Sequence, residues 1–409
     1  NLRSFITWDI LRRVFELHGF KVKQVMNITD VDDKTIKRSG EEGIPLKELT
    51  QRYADFFVTD INSLNILTPH ELVFATDHID DMVALIERLL TQGLAYKSSD
   101  GSVYFKISAF KKYGQLSRLK LETLQHAARV RDDTYSKEDI RDFVLWKSWT
   151  EEDGEVFWET KLGKGRPGWH IECSAMSMKY LGEEFDIHTG GQDLIFPHHT
   201  NEIAQSEGAT GKRFVHYWLH NEFVLIDEQK MAKSEGNIIT LGDIIEKGFN
   251  PLSYRYFLLQ AHYRTQINFT WDALQAAENA LKKLYEHFSD LNAEPGEHIH
   301  IYKDKFKDCI TEDLDIPRAV AVMWEMIKDQ TVFPKDKKAT LLYFDEVFGL
   351  GLGKCVKENV PQEVQDLVEE RECARRAKDW KAADMIRTKI EELGFTVKDT
   401  SSGPRLYKL

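Results

Sequence analysis

The stretch from residue 3 to residue 33 constrains the fold most. Phe5, Ile6, Ile10, Leu11, Val14 and Phe15 recur at helical spacing over residues 3–18, and Gly19 is a stop signal. Phe20 to Met26 then alternates as a strand. The segment Asn27-Ile28-Thr29-Asp30-Val31-Asp32-Asp33 makes a polar loop at its C-terminal end. In an open α/β sheet, ligands bind beyond the carboxyl ends of the strands. Helix, strand and polar loop in succession therefore predict an α/β sheet with its site on that edge.

The pattern continues with a helix over 46–63 and an amphipathic helix over 78–92. A hairpin follows, Leu94 to Lys97 and Ser102 to Lys106, joined by Ser98-Ser99-Asp100-Gly101. Residues 107–165 are polar with few long periodic segments, and 72–165 reads as an insertion in the α/β domain. That domain resumes at Gly168, with Trp169–Ile171 strand-like. Helical period dominates from 272 to 350. Residues 356–363 read as a linker, 362–393 as a last helix closed by Gly394, and the rest as a short strand-and-turn tail.

At 42% hydrophobic and 30% charged residues the chain reads as soluble and globular, with no apolar run near the length of a membrane span. Its four cysteines (Cys173, Cys309, Cys355, Cys373) are scattered, without a CxxC pair. That suits a reducing, cytoplasmic compartment better than a disulfide framework. A net charge of -12 argues against a broadly basic nucleic-acid binder. Residues 371–409 nevertheless carry ten Lys/Arg against six Asp/Glu. A basic end on an acidic body can grip RNA, and it can equally be a solvated helix face.

Two groups of residues carry chemistry. Upstream, Pro197 suits the first position of a helix containing His198, His199 and Glu202. His198 and Glu202, four apart, share one face, and Cys173 lies 25 residues before His198. Thiolate, imidazole and carboxylate together suit Zn²⁺. The plainer reading is a surface helix near a buried cysteine. Downstream, Lys230-Met231-Ala232-Lys233-Ser234 follows the apolar run Phe223–Ile226. Two flexible lysines after a strand suit a departing pyrophosphate, although a solvated lysine pair is the ordinary alternative. Between Cys173 and His198, Ile187-His188-Thr189-Gly190-Gly191-Gln192-Asp193 combines close-approach glycines with a carboxylate able to accept from ribose hydroxyls. It could equally be a simple turn. On the last helix Ala377, Trp380, Ala383 and Ile386 make an apolar stripe, more often core than a base-stacking platform, flanked by Arg375, Arg376, Lys378 and Lys381.

These stretches resemble one family, the cysteinyl-tRNA synthetases among the class I aminoacyl-tRNA synthetases. The resemblance rests on residues 27–33, Phe143–Trp146, Gly168–Met176, Phe196–His199 with Asn201–Gln205, Lys230–Asn237 and Ala377–Trp380, in family order over almost the whole chain. It implies a Rossmann-type parallel-sheet catalytic domain with an inserted subdomain, then a helical bundle and a small anticodon-binding domain. The expected division is 1–71 and 166–225 for the two catalytic halves and 72–165 for the insertion. A KMSKS loop and stem-contact segment follows at 226–271, then the bundle at 272–352 and the anticodon-binding domain at 360–409.

The implied activity is ATP-dependent formation of cysteinyl-adenylate and transfer to tRNA(Cys), by a monomer working with Mg²⁺-ATP and one Zn²⁺. Cys173, His198 and Glu202 match three zinc ligands. Thr29 and Trp169 match the cysteine pocket. His188, Gly190, Gly191 and Asp193 match the adenosine segment, and Asn1 the end of a HIGH-type ATP motif. Lys230 and Lys233 match the catalytic-loop lysines, with Ala232 in place of the usual Ser. Arg375, Trp380, Asp384 and Asp399 match positions near the anticodon. Family members carry a preceding strand with the fourth zinc ligand, a Cys, and the start of the HIGH-type tetrapeptide. On that pattern the chain reads as N-terminally truncated. Two other readings fit part of the pattern: a cysteine:amino-sugar ligase, and a non-catalytic tRNA-binding fragment.

Overall fold

The computed structural model describes residues 2–118, 142–226, 228–230, 238–291, 293–354, 361–400 and 403–408. Asn1 and Lys233 lie outside the described residues, and for Lys230 and Asp399 only the backbone is described. The chain divides into two compact units, residues 1–287 with 291–350, and residues 288–290 with 351–409.

In the first unit, helix α1 (Leu2–Leu17) leads into strand β1 (Val25–Ile28), followed by α2 (Asp33–Glu42), α3 (Leu46–Ser63) and β2 (Glu71–Phe74). Strand β1 begins later than the alternation from Phe20 suggests. Phe20 is exposed and packs edge-on to Phe15 as a cap on α1. β1 pairs with β2 in parallel, Val25 opposite Glu71. Helix α2 starts at Asp32, whose carboxylate accepts from Thr35 N while Thr35 Oγ1 accepts from Asp32 N. That reciprocal capping box fixes where the loop after β1 ends.

Helix α4 (Ile79–Thr91) buries Met82, Ile86 and Leu89 in the main core. Burying each such side chain stabilises the fold by about 1.5–3 kcal/mol. The insertion then builds an antiparallel sheet in the order β3-β4-β5-β7-β6, from β3 (Ala95–Lys97), β4 (Val103–Phe105), β5 (Phe143–Ser148), β6 (Trp158–Thr160) and β7 (Gly163–Pro167). The hairpin falls where the turn residues predict, but β5 to β7 are not evident from periodicity. Short strands of three to six residues offer too few alternations to register.

Trp169–Ile171 is not strand but the first turn of α5 (Trp169–Leu181). Aromatic and β-branched residues favour strands locally, yet Ile171, Cys173, Ala175 and Met176 are buried by helical packing, which overrides that preference. Strand β8 (Phe185–Gly191) pairs in parallel with β9 (Val215–Asn221). Between them, Phe196 is extended (φ -139°, ψ 129°) before a cis Phe196–Pro197 bond, and regular helix α6 runs from Thr200 to Thr210. Pro197 therefore sits in a wide turn ahead of the helix. Among the described residues, parallel pairing joins β1 to β2, β8 to β9, and the strand at 224–226 to that at 267–269. Strand β10 (Val224–Ile226) joins β11 (Gln229–Lys230) and β12 (Ile267–Phe269).

After α7 (Leu241–Glu246) and α8 (Pro251–Leu259) come α9 (Trp271–Asp290), α10 (His300–Thr311), α11 (Ile316–Lys328) and α12 (Pro334–Phe348). Phe306 and Phe344 stack in their core at 4.2 Å. Arg255 on α8 is fully buried and donates to Asp9 Oδ2 (2.5 Å), Phe348 O (2.6 Å) and Leu64 O (3.0 Å). This satisfied buried charge ties α1, the end of α3 and the end of α12 together. Such a pair is costly to break from one side.

In the second unit the expected single helix is two, α13 (Gln362–Arg376) and α14 (Trp380–Glu392). Lys378 is left-handed (φ 61°), and Asp379 caps α14 by accepting from Ala382 N. The two helices and the hairpin β13 (Phe395–Thr400) and β14 (Gly403–Lys408) enclose Val364, Ile390, Phe395 and Val397. No helix among the described residues is long and apolar enough to cross a membrane.

Candidate active site

Strands β1, β8 and β9 deliver their C-terminal ends, and α5 and α6 their first turns, to one buried polar cluster. Cys173 lies on α5, His198 in the turn before α6, and Glu202 in the first turn of α6. One potential ligand atom from each lies within 4.8 Å of the others. All three are buried, Glu202 completely. Glu202 Oε1 is 3.1 Å from His198 Nε2 and Oε2 is 3.4 Å from His188 Nε2, yet neither oxygen has a well-directed hydrogen bond. Two carboxylate oxygens buried in this way signal a cation or further donors in the working state.

The surrounding histidines were not picked out as ligands in the sequence. His198 Nδ1 is 2.8 Å from His170 Nδ1, and His199 Nδ1 is 2.8 Å from His220 Nε2. His188 meets His199 edge-on at 4.7 Å. His188, His199 and Glu202 form a second convergent trio, so Glu202 belongs to both. Burial lowers the pKa of His198 to about 3 and that of His220 to about 4, and drives His199 well below the usual range. All three are therefore neutral at physiological pH, with lone pairs available. Burial, then the neighbouring Glu202 and Glu172, pushes the Cys173 thiol well above its usual range. A cation would be needed to hold it as thiolate.

Trp169 lies over His198 with ring centroids 4.2 Å apart and remains 45% exposed, so it forms an open wall of the cluster. Thr29, half-buried, lies just beyond the end of β1. Gly190 explains itself by packing: a Cβ there would come 2.6 Å from His199 Cε1. Asp193 is exposed, and its carboxylate folds back over Gly191. The positions on β8 thus border the same cluster. Lys230 enters on β11, paired with Leu225. The missed residues are His170, His199, His220 and Glu172. The available signal was histidine density alone, since only packing of separate elements brings them together.

In the second unit, the Arg375 guanidinium lies 5.9 Å from the Trp380 ring centroid, and Trp380 is 57% exposed. The apolar stripe is thus split: Ala383 is core, whereas Trp380 faces solvent. Asp384 is exposed on the same helix.

Residues 1–279 match the family model described as the tRNA synthetases class I (C) catalytic domain, and residues 357–404 match the cysteinyl-tRNA ligase anticodon binding domain. The chain is 43% identical to the cysteine–tRNA ligase of Chlamydia felis, over 100% of this chain and 90% of that protein. It is also 43% identical to the cysteine–tRNA ligase of Brachyspira hyodysenteriae, over 98% and 90% respectively. The chain belongs to the cysteinyl-tRNA synthetase family. Methionyl-tRNA synthetase of Mycobacterium tuberculosis in complex with methionyl-adenylate shares the fold, with a TM-score of 0.57, 15% identity and 90% of each chain covered. The expected class I α/β catalytic fold with a helical C-terminal region is therefore correct. The cysteine–tRNA ligase relatives and the anticodon-binding match favour a cysteinyl-tRNA synthetase over a cysteine:amino-sugar ligase or a binding fragment.

Proposed function

We propose that this chain activates L-cysteine with ATP and Mg²⁺ to cysteinyl-adenylate and transfers the cysteinyl group to tRNA(Cys). The observation that carries this reading is the convergence of Cys173, His198 and Glu202 in one buried cluster. A soft sulfur, a neutral imidazole and a carboxylate fit Zn²⁺. If His198 Nδ1 donates to His170, its Nε2 lone pair faces Glu202, and the outer hydrogen bond fixes the tautomer as metal-binding histidines require. Zinc held by these residues supplies a thiophilic charge that favours a substrate thiol over a hydroxyl, a discrimination that apolar contact alone provides poorly.

The chain's own residues do the rest. Trp169 forms the wall of the cysteine pocket, and Thr29 offers its hydroxyl to the substrate. His188, Gly190, Gly191 and Asp193 line the adenosine side, with Asp193 accepting from ribose hydroxyls, and Asn1 belongs to the ATP motif. The substrate carboxylate attacks the α-phosphate of ATP. Lys230 and Lys233 offset the charge on the departing pyrophosphate. The terminal ribose hydroxyl of tRNA then attacks the adenylate carbonyl, releasing AMP. Arg375, Trp380, Asp384 and Asp399 read the anticodon by stacking and base-edge contacts. The division at residues 71, 165, 225, 271, 352 and 360 assigns these steps to separate segments, and the chain works as a monomer in the cytoplasm.

Cysteine-dependent ATP–pyrophosphate exchange, followed by charging of tRNA(Cys), tests the reading. Exchange that depends on cysteine and not on serine supports it. Absence of both reactions in zinc-loaded, folded protein overturns it.

A further inference from the structure

Two consecutive residues in the link between α10 and α11, Asp313 (φ 51°) and Leu314 (φ 56°), hold the left-handed conformation without being glycine. Each is costly to the backbone, so the pair persists only where contacts hold it. Asp313 makes those contacts with the turn that follows α8. Its Oδ1 accepts from Tyr263 Oη (2.7 Å) and Arg264 Nη2 (3.0 Å), and its Oδ2 accepts from Arg264 Nε (2.7 Å). His262 Nε2 lies 2.9 Å from the Asp313 carbonyl oxygen. His262, Tyr263 and Arg264 thus close together on one residue of the helical bundle.

The other side of that turn faces the catalytic half. Arg3, buried in the first turn of α1, donates to the carbonyl oxygens of His262 (3.1 Å), Thr265 and Phe223 (2.6 Å). Glu222 N donates to Tyr263 O (2.8 Å), and Ile267 N to Phe223 O (3.3 Å). Phe223 immediately precedes β10, whose antiparallel partner β11 carries Lys230. Ile267 opens β12, which pairs in parallel with β10. The turn at 262–265 therefore grips the start of α1 and the root of the β10–β11 hairpin, and Asp313 grips the turn.

We infer that Asp313 is a positioning residue for adenylate formation, acting through the 262–265 turn on Arg3 and on the hairpin that carries Lys230. A guanidinium held by both oxygens of one carboxylate is fixed in direction as well as distance, and the Tyr263 hydroxyl adds a third anchor. The Arg264 and Asp313 side chains are 59% and 48% exposed, so their pairing adds little to overall stability. What it fixes is the register of the turn. Small misplacements of reacting groups cost rate even where the fold survives. A bundle residue remote in sequence from both lysines thereby sets the ATP side of the site and leaves the cysteine side alone. This inference rests on the reading that Lys230 and the start of α1 serve ATP.

The test measures single-turnover adenylate formation at saturating ATP, and cysteine affinity by calorimetry, on the zinc-loaded full chain. Asp313→Asn keeps a residue that tolerates the left-handed backbone and removes the charge. Its adenylation rate should fall about three- to tenfold, as for one partly exposed charged contact. Its Kd for cysteine should stay within about twofold of wild type. Arg264→Gln should behave alike, and the double variant should be no slower than the slower single one. Lys305→Gln breaks an ion pair of similar exposure elsewhere in the bundle, Lys305 Nζ to Glu325 Oε1 at 2.7 Å, and should leave the rate unchanged. Four results overturn the inference: a lowered melting temperature with a wild-type rate, parallel loss of cysteine affinity, additive single variants, or equal slowing by Lys305→Gln. Should Asp313→Asn not fold, Tyr263→Phe removes a donor from the same carboxylate, and a wild-type rate there overturns the inference equally. If the wild type forms no adenylate with cysteine, the cysteine reading has failed and the inference falls with it.

Discussion

Glu172 and Glu202 have no exposed surface in the catalytic unit, whereas in the C-terminal unit Trp380 shows 57% of its surface and Asp384 is exposed. The first arrangement orders its polar groups before any ligand arrives. Their desolvation is met during folding, so a small substrate is judged by fixed donors and acceptors. The second leaves a ring and a guanidinium at the surface, as suits single-stranded bases that must splay out to be stacked. Small-molecule selectivity is therefore expected to depend on buried geometry, and RNA selectivity on surface chemistry.

The largest expected break comes from the proposed metal ligands. Cys173→Ser should empty the site, because a hydroxyl is a poor substitute for a thiolate. Zinc content measured by atomic emission should fall towards zero, and cysteine-dependent exchange by about 10³-fold, equivalent to roughly 4 kcal/mol. Retention of full zinc and activity would remove Cys173 from the site. Next in size, Lys233→Ala should slow adenylation by about 10²–10³ with cysteine affinity nearly constant, as for one lost transition-state donor. Single-turnover adenylate formation measures it, and a wild-type rate would exclude the lysine from that role.

On the other side of the comparison, Trp380→Ala or Arg375→Ala should weaken tRNA charging, with exchange and melting temperature unchanged. Loss of one base–aromatic stack costs about 1–3 kcal/mol, or roughly 5- to 150-fold in kcat/KM for tRNA. Equal damage to both reactions would make these residues structural.

The smallest effect concerns pH. His220 titrates near 4 in the folded protein, below the ordinary histidine value, because it is buried. Between those values the unfolded chain binds the proton and the folded chain does not, so this group removes stability as pH falls from about 6.5 to about 4. His198 and His199 act in the same sense, whereas Glu172 and Asp30, raised by burial, act in the opposite one. Comparing wild type with His220→Gln isolates one contribution. The variant's stability should depend on pH in that window less steeply, by about one proton. An unchanged slope in urea unfolding would show that His220 is already charged in the folded state.

Legibility in the sequence followed the range of the interactions. Glu202 and His198 were recoverable because an i, i+4 pair is local, and their partner Cys173 because its chemistry is distinctive. Helix α3 was readable to its ends because its amphipathic period runs for five turns. The contacts of His170 with His198 and of His199 with His220 span 28 and 21 residues. No local period encodes such pairs, which exist only once α5, α6 and β9 have packed. Trp169–Ile171 misled because two strand-favouring residues, Trp169 and Ile171, occupy a helical turn whose conformation is set by burial. The break after Arg376 was missed for a different reason. It depends on a lysine in a glycine-like conformation, which residue type does not announce.

That lysine has a geometric consequence for how the tail of the chain can diversify. On an uninterrupted helix, residues five apart point about 140° away from each other, since each residue turns the chain by about 100°. Arg375 and Trp380 would then face different directions. The left-handed step at Lys378 turns the backbone so that guanidinium and indole come to one corner. Asparagine or glycine at 378 would preserve the corner, and a β-branched residue would strain it by about 1–2 kcal/mol. The spatial pairing of two side chains is thus inherited through the backbone of a third, and a drift at 378 would alter the paired surface while leaving both of its residues in place.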